Sequence, residues 1–80
     1  MKSIHYSTDA LNALRKHRSK AAKIIAKIER YAETGAGEVK RLTGVQASRL
    51  RVGDFRVIFT ESATEVSVLA IGPRGSVYDD

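Results

Sequence analysis

The dipeptide Gly53-Asp54, set within S-R-L-R-V-G-D-F-R-V-I-F, constrains the fold of this chain more than any other feature. Glycine at the first position of a two-residue loop supplies the positive φ that a type II′ hairpin turn needs. A turn there pairs Val52 with Phe55, Arg51 with Arg56, Leu50 with Val57 and Arg49 with Ile58. Because side chains alternate along a strand, Leu50, Val52, Phe55 and Val57 share one face, and Arg49, Arg51 and Arg56 share the other. Like charges directly opposite each other destabilise a strand pair. The pairing of Arg51 with Arg56 therefore predicts that these side chains either stay accessible to water or hold an anion.

A second hairpin is expected around Ser62-Ala63, pairing Thr60 with Glu65, Phe59 with Val66 and Val57 with Val68. In that register Phe55, Val57, Phe59, Val66, Val68 and Ala70 extend the apolar face, while Ile58, Ser67 and Leu69 flank the arginines. The two turns independently bury the same residues, which is the consistency expected of a sheet with one covered face. The strands are expected over 48–52, 55–61 and 64–71, and Gly72-Pro73 is expected to end the last because proline cannot continue a paired ladder.

Upstream, K-S-I-H-Y reads as a short strand, followed by a helix capped by Ser7 or Thr8 that carries Asp9 in its first turn. A longer helix follows, with Ser19 as its expected cap and Gly35 as its stop. Its apolar stripe is Ala21, Ile24, Ile25, Ile28 and Ala32; a separate stripe of Lys20, Lys23, Lys27 and Arg30 reads as a solvated outer face. Residues 36–47 carry few signals and read as a loose connection. The expected fold is a single α+β domain over residues 1–80, ordered β-α-α-β-β-β, with a helical hairpin packed on one face of a mainly antiparallel sheet.

Net charge is +5 and unevenly spread: residues 15–30 hold seven Lys or Arg against Glu29, whereas Arg74 is the one base after Val57. A basic excess on a small domain favours polyanionic partners. With no cysteine, thiolate chemistry and disulfides are excluded, and no apolar run has transmembrane or signal-peptide length, so a cytoplasmic protein is expected. His5 and His17 lack metal-ligand spacing, and no metal or cofactor is expected. Glu38 and Glu61 read as loop residues without a paired carboxylate, which removes support for glycosidase-like chemistry.

Past the last strand, Arg74 and Tyr78 lie where the chain can turn back toward the arginine face. Guanidinium groups bind phosphate bidentately, and a tyrosine can stack on a base or exchange a proton. Such a set suits RNA cleavage by an adjacent 2′-hydroxyl, which needs a base, an acid and positive charge on the phosphorane.

At these residues the chain resembles the RelE/ParE superfamily of bacterial type II toxins. L-T-G-V-Q-A-S-R-L-R-V-G-D-F-R-V-I-F is similar to that family's L-x-G…RLRVGDYRVIY segment, and I-G-P-R-G-S-V-Y is similar to its closing IGHRREVY. The resemblance implies a toxin neutralised by a cognate antitoxin encoded nearby, with DNA reached only through that antitoxin. In the RelE branch it implies ribosome-dependent cleavage of mRNA. It places Arg49 and Arg51 at a basic pair, Arg56 at a phosphate-binding arginine after the turn, Arg74 after the last strand and Tyr78 at the terminal tyrosine. Tyr78 is then the main candidate base, since arginine cannot readily take a proton. Pro73 and Gly75-Ser76 depart from the closing motif, which leaves open a ParE-type gyrase inhibitor or a non-catalytic basic module binding RNA or protein.

Overall fold

The structure, a computed structural model, describes residues 2–73. The central hairpin forms as its turn chemistry dictates. Strands β3 (Ser48–Val52) and β4 (Phe55–Glu61) pair antiparallel, with Val52 opposite Phe55, Arg51 opposite Arg56 and Arg49 opposite Ile58. Gly53 sits at φ 58, a left-handed conformation that costs a residue with a Cβ and costs glycine little.

Three further strands complete the sheet: β1 (Ser3–Tyr6), β2 (Glu38–Arg41) and β5 (Glu65–Pro73). The spatial order is β1-β5-β4-β3-β2, with β1 parallel to β5 and the other pairs antiparallel. The consecutive strands β1 and β2 thus lie on opposite edges. Helices α1 (Thr8–Lys16) and α2 (Arg18–Thr34) carry the chain between them across one face.

Ser7 caps α1, its Oγ accepting from the Ala10 N–H at 3.0 Å, as expected for a serine ahead of an apolar-periodic run. Ser19 does not cap α2. The chain turns from one helix into the next at His17 alone, which leaves Ser19 already inside the second helix. Gly35 ends α2 in the left-handed conformation, φ 76, and its N–H donates to the Tyr31 carbonyl at 2.8 Å.

The core lies between the helices and the sheet. Ile24, Ile28 and Ala32 of α2 and Ala10 and Leu14 of α1 pack with Leu50, Val52, Phe55, Val57, Phe59, Val66 and Val68 in one buried cluster, with Ala21 and Ile25 against its margin. The expected apolar face is therefore the one that the helices cover.

Three features differ from expectation. First, residues 38–41 of the stretch read as loose form β2, an edge strand whose four residues are all exposed, so alternation gives no burial pattern to detect. Second, the β4–β5 hairpin opens with a longer loop. Glu61 pairs with Val66, Thr60 with Ser67 and Phe59 with Val68, two residues beyond the expected register, so parity is preserved. Within that loop the Ser62 Oγ accepts from the N–H groups of Thr64 and Glu65, and Ser62 N–H donates to the Glu65 carbonyl.

Third, the pairing shifts between Ile58 and Phe59: Ile58 faces Ala70 and Val57 faces Ile71, leaving Leu69 as the extra residue of a β-bulge. The bulge reverses alternation in the last part of β5. Ile71 enters the main core, whereas Ala70 moves to the opposite face beside Leu42, Ala47 and Ile58. It also lets β5 run on to Pro73, which pairs with Phe55. Since β1 pairs only with Glu65–Val68, the strand is an edge where the proline sits, and there a missing N–H is tolerated.

Candidate nucleic-acid interface

The face of the sheet away from the helices is ordered by the strand registers into rows of neighbours. One row runs Glu38, Arg51, Arg56, Gly72; the next runs Lys40, Arg49, Ile58, Ala70. Directly opposed residues have Cβ atoms about 4.5–5.5 Å apart, so four cationic side chains occupy adjoining positions. Lys40 joins the three arginines only because β2 forms; its segment showed no periodicity from which that neighbourhood could be read. The sole carboxylate in these two rows is Glu38, whose Oε1 lies 3.5 Å from the Arg51 Nη1 with both side chains largely exposed. An exposed pair at that separation offsets little of the charge.

The arginines are not equally accessible. Arg51 is exposed and Arg49 is half-buried, but Arg56 is only 3% exposed, so of the opposed pair only Arg51 stays accessible to water. Arg56 lies on the central strand, between Arg51 and Gly72, and one row away Leu42 and Ala47 close over Ile58. Strand alternation alone implies a bare sheet face, whereas Leu42 and Ala47 of the 42–47 connection pack on it beside Ile58 and Ala70. Arg56 interacts with other groups, although its Nε finds no hydrogen-bond partner. A guanidinium held in such a place is fixed in direction, a property suited to binding an anion that arrives at the face.

Arg74 and Tyr78, the other two expected site residues, lie outside the described residues, as do Gly75 and Ser76. The two other tyrosines do not supply a base. Burial, aided by the Glu29 charge, pushes the Tyr6 phenol up. The Tyr31 phenol is pushed up to about 12 by burial and by its hydrogen bond to Glu61. Tyr31 and Glu61 belong to a structural cluster at the end of the helix-covered face. The Tyr31 hydroxyl donates to Glu61 Oε1, Lys2 Nζ donates to Glu61 Oε2 at 2.7 Å, and the Tyr31 ring packs 5.1 Å from that of Phe59. The Lys2 bond, then the Tyr31 bond, hold the Glu61 carboxyl below its usual range. Glu61 and Glu38 are thus strand residues with cationic partners rather than loop residues.

His5 contacts Glu65 at the far edge of the sheet, and His17 packs its ring edge-on to Phe55 at 4.9 Å. No group of three or more His, Asp or Glu side chains able to hold a metal occurs among the described residues. No helix among them is long and apolar enough to cross a membrane.

No family profile and no curated protein matches this sequence. Solved structures do match. The chain is similar to YafQ from E. coli BL21(DE3) at a TM-score of 0.78, with 10% identity, over 99% of this chain and 100% of that one. It is similar to a chain of the RelE–RelB complex from Pyrococcus horikoshii at a TM-score of 0.76, with 19% identity, over 95% and 98% of the two chains. This chain has the RelE-like fold. The likeness extends to the RelB–RelE antitoxin–toxin complex from Methanococcus jannaschii, at a TM-score of 0.73 and 20% identity over 94% of this chain and 95% of that one. The RelE-like fold accounts for the two described helices packed on one face of a five-stranded sheet, opposite the arginines.

Proposed function

We propose that this protein is the toxin of a type II toxin–antitoxin pair and acts as a ribosome-dependent mRNA endoribonuclease in the cytoplasm. The observation that carries the reading is the convergence of Arg49, Arg51 and Arg56 on the open face of a RelE-like sheet, with Lys40 beside them. Two of the similar solved structures are toxin-type chains held in complexes with RelB, which supports a cognate antitoxin as partner here.

In the proposed reaction a base removes the proton of a ribose 2′-hydroxyl, and the oxygen bonds to the adjacent phosphorus. The bond to the 5′-oxygen then breaks, that oxygen takes a proton, and a 2′,3′-cyclic phosphate remains. Negative charge grows on the non-bridging oxygens in the transition state, where fixed guanidinium groups stabilise it more than they stabilise the ground state. Arg56, held rigidly by burial, is assigned to the scissile phosphate, and the more exposed Arg49 and Arg51 to the flanking backbone and the developing charge. Arg74 and Tyr78 complete the site in this reading, Tyr78 as the base. A message ordered by the ribosome would compensate for the absence of a strong base among the described arginine-face residues.

Growth tests the toxin reading. Expression of the chain alone should slow bacterial growth, and co-expression of the neighbouring small acidic reading frame should restore it. Normal growth with the folded, unmodified chain abundant in the cells would refute it.

A further inference from the structure

On the helical side of the molecule, remote from the arginine face, the outer surface of α2 presents Lys20, Lys23, Lys27 and Arg30, all exposed. Their spacing of three and four residues sets them in one row about 15 Å long. Neither Lys20 nor Lys23 makes an ion pair among the described residues. At the head of this row the helix meets the β3–β4 turn and leaves a cavity of about 200 Å³. Lys20 and Lys23 form one lip, Asp54 the other, and Ile24, Val52 and Phe55 contribute apolar lining. A cavity of roughly 150 Å³ with apolar walls already accepts a benzene ring, so this one has room for one large apolar side chain.

We propose that this cavity and the lysine row form a docking site for an acidic protein segment, which seats one leucine- or phenylalanine-sized side chain in the cavity and lays its carboxylates along α2. Charge complementarity favours an acidic occupant, since four cations line one track and neither Lys20 nor Lys23 is ion-paired among the described residues. The apolar lining favours a peptide over RNA, because a phosphodiester chain has no aliphatic group to fill it. The cationic track alone could also hold single-stranded RNA, but among the described residues of the cavity no open aromatic platform exists for a base, since Phe55 is 9% exposed and in T-shaped contact with the His17 ring. The Asp54 carboxylate on the far lip repels phosphate but accepts a hydrogen bond from a peptide N–H. The site is separate from the arginine face and stands whether or not that face cleaves RNA.

The test is selection from a random peptide display library on the purified chain, after depletion against the Lys20→Glu/Lys23→Glu variant. Enriched peptides should combine several Asp or Glu residues with one large apolar residue. A synthetic copy of the most enriched peptide should lose roughly tenfold in affinity on the charge-reversed variant, and roughly tenfold again when its apolar residue becomes alanine. Its affinity for Arg49→Ala/Arg51→Ala should be unchanged. Both lysines are exposed, so equal melting temperatures for the variant and the parent chain establish that folding is intact. Peptides without the acidic–apolar combination, undiminished binding to the charge-reversed variant, or a single-stranded RNA oligomer that binds through the same lysines more tightly than any selected peptide would each overturn the proposal.

Discussion

Truncating Phe59 to alanine is the sharpest perturbation of the core. Phe59 is 1% exposed, lies on the central strand opposite Ser48 and Val68, and packs its ring 5.1 Å from that of Tyr31. Losing the buried ring removes about 1.5–3 kcal/mol of transfer free energy, and the void left between sheet and helix brings the total to about 3–5 kcal/mol. A domain of 80 residues has a total stability of roughly 4–12 kcal/mol. At about 4–8 °C per kcal/mol, the melting temperature should fall by at least about 12 °C, and a weakly stable parent would not fold at all. Phe55→Ala, at the 9% exposed hairpin end, should lie near the lower limit of that energy range. The control is Arg51→Ala, whose side chain is 42% exposed and which should change stability by no more than about 0.5 kcal/mol. Thermal and urea unfolding followed by circular dichroism measure all three. A cost under about 1 kcal/mol at Phe59, with a larger one at Arg51, would show that the buried and open faces have been exchanged.

Other expectations follow from single residues. Gly53→Ala meets no atom within 4 Å but must hold φ 58, so it should cost about 1–2 kcal/mol from the backbone alone, read as a lower urea midpoint with unchanged slope. The folded Glu61 carboxyl is held below its ordinary range, so its contribution is full above the unfolded value and is lost as pH falls through the folded one. Parent and Glu61→Gln should accordingly differ in urea midpoint at neutral pH and converge in acid. Tyr31 runs the opposite way: its stabilisation is full below the ordinary phenol value of 10.0 and is lost as pH rises through about 12. Spectrophotometric titration should show a phenol ionising near 12 that vanishes in Tyr31→Phe.

The fold was legible wherever local chemistry and burial agreed. Gly53-Asp54 set the β3–β4 register, Ser7 and Gly35 marked helix ends, and the isoleucine spacing of α2 identified its buried side. What escaped was governed by contacts distant in sequence. Strand β2 is held by pairing with β3 and buries none of its residues, so its own side chains carry no alternation. The bulge at Leu69 lies just past the end of the β1 pairing, and no turn residue announces it. The same limit applies to the site. Side-chain alternation placed Arg49, Arg51 and Arg56 on one face correctly, but the presence of Lys40 depends on where β2 returns to the sheet, and the burial of Arg56 has no signal in local alternation.

Primer extension on mRNA bound to translating ribosomes, comparing the parent chain with Arg49→Ala/Arg51→Ala, decides whether the arginine face cleaves RNA. Both arginines lie outside the core, so the variant should melt with the parent. Discrete cuts within the ribosome-bound message are expected for the parent chain, with a rate lower by roughly 10²-fold or more for the variant. Uncut message with the folded parent chain, or equal cutting by the two proteins, would contradict cleavage by that face.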